Sequence, residues 1–360
     1  MAGALKLEGR TLASGWSVIR AIGWDPKTGA SKEIYNGTGG NFSKAYLVEK
    51  NGRQAFLKAI DLTRPLSSDN IVNALLEALT HHKFEVDILN ICSGAKLDRI
   101  VVAIDSGEER LSTDLKDVVP YLIFELAEGD VRKTIKEIKP DLKRSWWLRA
   151  MHHAAVGLNQ LHSKKVAHQD LKPSNILSFG QNDGFKLADL GRSTCETHQG
   201  PFDDMMFSGD RTYAPIEILY GYVNPNAFER RRSSDAYMLG SMIFFFGLGL
   251  GATPLILSHL PRDNWPPSFP GGWDGPYEDV LPLIEHAFTR AIAQLREAIG
   301  DDEISDELVT CARQLCEPNP SERGHPLTRA QVGSNFNLER YVSKFNLLAL
   351  RSSVRARLDK

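Results

Sequence analysis

The first third of the chain alternates short apolar runs with turn residues, a pattern typical of antiparallel strands. Residues 16–22 form one apolar run, and residues 45–48 and 55–60 form two more on either side of Asn51-Gly52. An Asn-Gly pair between two such runs indicates a tight hairpin, because both residues tolerate a left-handed backbone. We therefore predict that this part of the chain is mainly β-sheet.

The rest of the chain carries apolar residues at three- and four-residue spacings, which predict amphipathic helices. Residues 147–161 show this period, and residues 338–349 repeat it near the end of the chain. Residues 236–257 contain no charged side chain and have the composition of a membrane span. Because Asp235 precedes this stretch and Pro254 interrupts its end, we predict one fully buried helix instead.

Composition, net charge and cysteine spacing indicate which classes of protein and partner are expected. The 360 residues are 42% hydrophobic and 24% charged, as in an ordinary globular protein. A net charge of -2 excludes a strongly basic surface, so we expect no nucleic-acid partner. The four cysteines lack the spacing of a zinc site and are expected to be free core thiols in a reducing compartment, the cytoplasm. The sequence also predicts no secretory signal and no membrane partner.

The run His-Gln-Asp-Leu-Lys-Pro-Ser-Asn-Ile-Leu, residues 168–177, carries the clearest chemistry in the sequence. Its Asp170 is able to accept a proton from an attacking hydroxyl, and Lys172 can neutralise charge on a phosphoryl group during transfer. The amide oxygen of Asn175 suits a hard metal ion. Phosphoryl transfer from a nucleotide requires this combination of side chains.

This run resembles the catalytic loop of the eukaryotic-type Ser/Thr protein kinases, and the resemblance extends over roughly residues 37–325. It implies an α+β, bilobal fold, with a small antiparallel β-rich N-lobe that carries one helix and a larger, mainly helical C-lobe. The expected divisions are an N-terminal extension packing on the N-lobe (1–36), the N-lobe (37–126), the C-lobe (127–330) and a helical tail (331–360).

The resemblance also assigns a nucleotide site. Ala-Phe-Leu-Lys-Ala-Ile resembles the family's Val-Ala-Ile-Lys strand, which makes Lys58 the phosphate-binding lysine. Its partner carboxylate is expected at Glu85, with Asp87 as the alternative if the register slips. The segment after Phe124 resembles the hinge that meets adenine, where Asp130 is expected at the ribose and also as a helix N-cap. The full nucleotide-binding set is expected to be Gly37, Gly39, Gly40, Lys58, Glu85, Glu125, Ala127 and Asp130.

Ala-Asp-Leu-Gly, residues 188–191, resembles the family's Asp-Phe-Gly motif, with leucine as its apolar residue. The resemblance implies that Asp170, Lys172 and Asn175 are catalytic, and that Asn175 and Asp189 bind Mg²⁺. A buried ion pair is expected between Glu217 and Arg323. The expected structural supports are His168, Gly191, Glu217, Asp235 and Arg323.

Two positions depart from the family pattern. Gln169 replaces the arginine that commonly docks a phosphorylated activation loop, so we expect no phosphate switch of that kind. Asp210 stands where the family has a substrate-side threonine, which predicts altered peptide docking. The activation loop, residues 192–211, still holds Ser and Thr side chains that autophosphorylation would use.

The sequence therefore predicts an ATP- and Mg²⁺-dependent kinase that phosphorylates Ser or Thr in protein substrates. One alternative is a small-molecule phosphotransferase of related fold, but such enzymes usually lack the lysine that follows the base and carry an Asp-x-Asp motif. The other alternative is a nucleotide-binding pseudokinase scaffold. Such proteins usually lack a residue equivalent to Lys58, Asp170 or Asp189, and this chain has all three.

Overall fold

The computed structural model describes residues 3–23, 43–180, 184–331 and 336–358. The chain divides into two units, the first comprising Met1–Lys96 with Ile100–Glu128 and the second Leu97–Arg99 with Gly129–Lys360. The first unit is built around a β-sheet, and the second is mainly helical. The predicted α+β class is therefore confirmed.

The first unit contains a five-stranded antiparallel sheet with the strand order β1-β2-β3-β5-β4. Its strands are β1 (Ser17–Ile22), β2 (Ser43–Lys50), β3 (Arg53–Ile60), β4 (Ala103–Arg110) and β5 (Val118–Glu125). Asn51 and Gly52 join β2 to β3 with backbone φ angles of 53° and 76°, as a two-residue hairpin requires. The predicted hairpin is confirmed.

The N-terminal residues pack against one face of this sheet. The core on that face includes Trp16 together with Tyr46 of β2 and Tyr121 of β5, and none of these side chains is more than 4% exposed. The Tyr46 hydroxyl donates a hydrogen bond to Ala4 O at 2.6 Å, which satisfies the polar end of a buried ring. Residues 3–22 are thus an integral part of the first unit.

The long helix of the first unit is α2 (Ile71–Gly94), which follows the single turn α1 (Thr63–Leu66). Asn70 caps α2, since its side-chain oxygen accepts a hydrogen bond from Asn73 N at 3.2 Å. The buried face of α2 is apolar apart from Glu85. A carboxylate in such a position requires a charged or hydrogen-bonding partner.

The second unit is organised around α4 (Pro140–Ser163), which contacts both α6 (Ala227–Leu248) and the C-terminal helix α11 (Glu339–Leu358). Buried aromatic residues on α11, among them Tyr341 and Phe345, line its contact with the rest of this unit. The helices of this unit are α3 (Val131–Thr134), α4 (Pro140–Ser163), α5 (Ile216–Leu219), α6 (Ala227–Leu248), α7 (Ala252–Ser258), α8 (Tyr277–Ile299), α9 (Glu303–Leu315), α10 (Pro326–Arg329) and α11 (Glu339–Leu358).

Short strands of the second unit frame the run at residues 168–177. The strands β6 (Gly129–Asp130), β8 (Ile176–Ser178) and β9 (Phe185–Leu187) form one sheet, and β7 (Val166–Ala167) pairs with β10 (Thr194–Cys195). The run therefore leaves β7 and enters β8, and both of its ends are fixed by strand pairing.

The uncharged stretch at 236–257 forms two helices, so the prediction of one continuous helix is wrong. Helix α6 ends at Leu248 because Gly249 takes a left-handed φ of 76°, and α7 then runs at 70° to it. Among the described residues, no single helix is long and apolar enough to cross a membrane, and only this bent pair passes by length and composition. The four cysteines are free and buried, as predicted.

Candidate active site

Lys58 and Glu85 form an ion pair inside the first unit. Lys58 Nζ, on β3, lies 2.8 Å and 3.0 Å from the two carboxylate oxygens of Glu85 on α2. The Glu85 side chain is only 6% exposed, so little water competes for this contact. Burial, and then the charge of Lys58, lowers the pKa of the neighbouring His82 to about 4. The structure therefore pairs Lys58 with the first of the two predicted carboxylates.

The predicted phosphate-binding glycines, Gly37, Gly39 and Gly40, lie outside the described residues. Their role stays a prediction. The strand that follows them, β2, is antiparallel to β3 with Ala45 opposite Lys58. The chain that leaves the glycine stretch therefore runs directly beside Lys58.

Glu125 and Ala127 lie at the end of the first unit, after β5. The Glu125 carboxylate accepts a hydrogen bond from Val102 N at 2.7 Å, which ties the end of β5 to the residue before β4. Ala127 is half-buried. Backbone groups of this segment are the ones that the adenine prediction requires, and that role is still a prediction.

Asp130, at the start of the second unit, caps α3. Its Oδ1 accepts hydrogen bonds from Arg132 N at 2.9 Å and from Arg132 Nε at 3.0 Å, and Oδ2 accepts from Nη2 at 3.0 Å. The carboxylate is 3% exposed. The predicted N-cap is confirmed, whereas the ribose contact stays a prediction for a carboxylate whose two oxygens already bind Arg132.

Asp170 is the centre of a hydrogen-bonded cluster in the loop between β7 and β8. Lys172 Nζ lies 2.9 Å from Asp170 Oδ2, and Asn175 Nδ2 donates to the same oxygen at 3.2 Å. Asp210 N donates to Asp170 Oδ1 at 2.8 Å. Burial raises the pKa of the Asp170 carboxyl and the charge of Asp189 adds to the rise, although Lys172 opposes it. A carboxylate with a raised pKa is a better proton acceptor than an exposed one.

Asp235, on α6, holds the first residues of this loop. Its Oδ2 accepts hydrogen bonds at 2.8 Å from His168 N and from His162 Nε2, and its Oδ1 accepts from Gln169 N at 2.8 Å. The Asp235 side chain is 0% exposed, so these donors compensate a fully buried charge. Gln169 takes a left-handed φ of 64° here, and Asp235 stabilises that backbone conformation.

Asp189 and Asn175 are joined through the backbone beside this cluster. Ala188 N donates to Asn175 O at 2.9 Å, and His168 Nε2 donates to Ala188 O at 3.2 Å. Asp189 is exposed, with a φ of 62°, and the short helix that contains Gly191 begins immediately after it. The predicted metal ligands are thus held by the same backbone network as Asp170.

The donor chemistry of these two residues fits a divalent metal. Carboxylate and amide oxygens are the ligands that a hard dication prefers, and a dication would offset the repulsion between Asp170 and Asp189. Among the described residues, no group of three or more His, Cys, Asp or Glu side chains is arranged to hold a metal. A metal at Asn175 and Asp189 therefore needs further oxygen ligands, which nucleotide phosphates and water provide.

Glu217 and Arg323 form the buried ion pair predicted from the sequence. The Arg323 guanidinium donates to the two Glu217 oxygens at 2.7 Å and 2.8 Å, and its side chain is 0% exposed. Arg323 also donates to Ser233 Oγ at 3.0 Å and to Glu317 O at 2.8 Å. This network joins α5 to α6 and to the chain that follows α9.

The sequence reasoning missed a contact that anchors the activation loop. Arg231, one turn before Asp235 on α6, donates through Nη2 to Asp203 O at 2.7 Å, and Nη2 lies 3.6 Å from Asp203 Oδ1. Gln169 Nε2 donates to Arg231 O at 2.8 Å. The available signal was helical spacing, since Arg231 lies four positions before the buried Asp235 and so shares its face of the helix.

The chain is similar in sequence to known proteins. A family model for the protein kinase domain matches residues 32–256, which is more than half of the chain. A probable serine/threonine-protein kinase of Dictyostelium discoideum is 26% identical over 230 residues, which cover 63% of this chain and 48% of the relative.

Two further relatives extend the comparison. A probable serine/threonine-protein kinase of Arabidopsis thaliana is 27% identical over 280 residues, 71% of this chain and 59% of the relative. Cell division control protein 2 homolog 2 of Trypanosoma brucei brucei is 37% identical over 192 residues, 49% of this chain and 55% of the relative. The chain thus spans about half the length of the curated relatives described here.

Proposed function

Because the chain belongs to the protein kinase family, we propose that it transfers the γ-phosphoryl group of ATP to Ser or Thr hydroxyls of proteins, with Mg²⁺ as the metal. One observation carries the proposal: the buried Asp170 carboxylate lies 2.9 Å from Lys172 Nζ and 3.2 Å from Asn175 Nδ2. A carboxylate whose pKa is raised by burial, beside a cation and an amide, suits the acceptance of a hydroxyl proton.

In the proposed mechanism, Asp170 orients the acceptor hydroxyl and takes its proton as the hydroxyl oxygen bonds to the γ-phosphorus. The bond from that phosphorus to the bridging oxygen breaks in the same transfer, and ADP leaves with that oxygen. Lys172 stays within reach of the transferred group through its ion pair with Asp170 and neutralises the charge that develops there. Asn175 steadies the loop by donating to Asp170 O at 2.8 Å. A Mg²⁺ ion held by Asn175 and Asp189 would supply charge neutralisation for the phosphates.

The nucleotide role falls to residues of the first unit and to Asp130. Lys58 binds phosphate oxygens, and Glu85 keeps the Lys58 ammonium in one orientation through contacts at 2.8 Å and 3.0 Å. The glycines at 37, 39 and 40 supply backbone amides for phosphate, because a residue without a side chain permits close approach. Glu125, Ala127 and Asp130 contact the nucleoside.

Ser/Thr proteins are the proposed acceptors rather than small molecules. The lysine two residues after Asp170 and the glycine two residues after Asp189 support this choice, because small-molecule phosphotransferases usually lack them. Relatives whose names describe serine/threonine-protein kinases add support. Four free, buried cysteines support a reducing compartment such as the cytoplasm.

Radiolabelled ATP with Mg²⁺ tests the proposal on the full chain, with three acceptors: the chain itself, a generic basic protein and small hydroxyl compounds. Asp170→Ala should lower transfer to protein by about 10²–10⁴-fold while ATP still raises the unfolding temperature. Asp189→Asn should lose transfer together with the Mg²⁺-dependent part of that shift.

The matched control is Asp204→Asn, which neutralises an exposed carboxylate in the activation loop and should retain transfer. Persistent transfer by Asp170→Ala would contradict the proposed base. Transfer by the wild type to small compounds alone would favour the small-molecule enzyme, and nucleotide binding without transfer would favour the scaffold.

A further inference from the structure

The backbone at residues 209 and 210 lies close to the loop of residues 168–177. A Cβ atom at Gly209 would lie 2.0 Å from Gln169 O, so only a glycine permits this approach. The next residue then donates its backbone N–H to Asp170 Oδ1 at 2.8 Å. The position of Asp210 beside Asp170 is therefore set by the backbone and does not depend on its own side chain.

The Asp210 carboxylate adds a negative charge at the open side of this cluster. Its Oδ2 lies 3.8 Å from Lys172 Nζ, and its Oδ1 accepts a hydrogen bond from Thr212 N at 2.9 Å. The Asp210 side chain is 38% exposed, whereas the Asp170 side chain is 6% exposed. An acceptor segment that brings a hydroxyl to Asp170 must therefore pass next to an accessible carboxylate.

The local charge balance favours cations. Apart from Asp189, which is assigned to the metal, the cluster contains the carboxylates of Asp170 and Asp210 against the single ammonium of Lys172. With a neutral threonine at position 210, the residue type expected from the family pattern, the cluster would carry one negative charge fewer.

We propose that Asp210 is a specificity-determining residue. It selects acceptor segments with Lys or Arg next to the Ser or Thr, and it discriminates against segments with Asp, Glu or a phosphorylated residue there. This inference rests on the proposed protein kinase function and adds the charge of the preferred substrate to it.

Three peptides that differ only beside a single Ser test the inference, with Arg, Gln or Glu flanking the acceptor on both sides. The readout is kcat/KM for each peptide at one ionic strength. Wild type should prefer the Arg peptide to the Glu peptide by about tenfold or more, because reversing a unit charge about 6 Å from a carboxylate changes affinity about tenfold even at the dielectric constant of water. Added salt should reduce this ratio.

Asp210→Asn isolates the charge, because its amide oxygen can still accept from Thr212 N and its backbone bond to Asp170 is unchanged. The Arg-to-Glu ratio should fall by about tenfold in this variant, mainly through KM, and Asp210→Thr should give a similarly reduced ratio. Asp204→Asn, on the same loop, should keep the wild-type ratio.

The outcomes distinguish a failure of the specificity role of Asp210 from a failure of the proposed kinase function. If Asp210→Asn phosphorylates the peptides with the wild-type ratio, the specificity role of Asp210 is wrong while the kinase function stands. If the wild type phosphorylates no peptide or protein, the proposed function fails and this inference fails with it. Equal unfolding temperatures of wild type and Asp210→Asn exclude a folding defect as the cause of a changed ratio.

Discussion

Glu217→Gln tests how much the buried ion pair stabilises the second unit. Arg323 is 0% exposed and donates to both Glu217 oxygens, at 2.7 Å and 2.8 Å. Glutamine keeps the size of the side chain but removes its charge and turns one acceptor into a donor. Because a guanidinium does not lose its proton in proteins, the substitution leaves a buried cation without this counter-ion.

The expected cost follows from burial. Neutralising one partner of a buried ion pair costs about 3–5 kcal/mol, whereas an exposed pair contributes about 0–1 kcal/mol. For a folding unit of this size, each kcal/mol lowers the unfolding midpoint by about 2–4 °C. We therefore expect the midpoint of the second unit to fall by about 6–20 °C.

Thermal unfolding followed by circular dichroism is the assay, and Glu196→Gln is the control. Glu196 pairs with Lys165 at 3.3 Å, but their side chains are 36% and 58% exposed, so its loss should cost less than about 1 kcal/mol. The double variant Glu217→Leu/Arg323→Met should recover part of the loss, because neither of these two positions then buries a charge. A Glu217→Gln midpoint equal to that of Glu196→Gln would refute the reasoning.

Three further predictions concern the second unit. Burial, and then the charge of Arg99, lowers the pKa of His153 to about 3. The neutral ring therefore contributes its full stability above pH about 6.5 and loses that contribution as the pH falls. His153→Asn should flatten the decline in unfolding temperature between pH about 6.5 and 4.5. Arg231→Met removes the donor to the Asp203 carbonyl and should increase protease cleavage within the activation loop about 3–10-fold, and cleavage at the wild-type rate would count against the anchor. Gly157→Ala places a Cβ atom 3.0 Å from a backbone carbonyl and should cost about 1–3 kcal/mol in denaturant unfolding, a cost that would be absent if the helix can shift.

Several features of the fold and site could be predicted because a local pattern or the order of known motifs determines each of them. Asn51-Gly52 fixes its hairpin through the backbone angles that those two residues tolerate. Motif order placed Lys58 on a strand and Glu85 on a helix face, and the structure brings the two within 2.8 Å. In these cases local pattern and tertiary contact agree, as expected of a sequence whose local preferences support its fold.

Other features depend on choices that the local sequence leaves open. Residues 247–251 contain three glycines, and only the structure shows that Gly249 takes the left-handed conformation that separates α6 from α7. The anchor between Arg231 and Asp203 depends mainly on a backbone acceptor, the Asp203 carbonyl at 2.7 Å. Because every residue type has a backbone carbonyl, the sequence does not indicate this contact. Contacts of that kind follow from the tertiary structure alone.

Gln169 links these two kinds of feature. From the sequence, Gln169 is only the replacement of an arginine that the family commonly has. In the structure its side-chain amide donates to Arg231 O at 2.8 Å, and the residue is 2% exposed. The guanidinium of Arg231 then extends to Asp203 in the activation loop, so a cation–carboxylate contact is made by side chains that the chain already carries. An arginine that docks a phosphate must stay available until the phosphate is added, whereas Arg231 is buried against a carboxylate and a carbonyl. The contact between Arg231 and Asp203 needs no added phosphate, so we expect dephosphorylated protein to resist protease cleavage in the activation loop as well as untreated protein does.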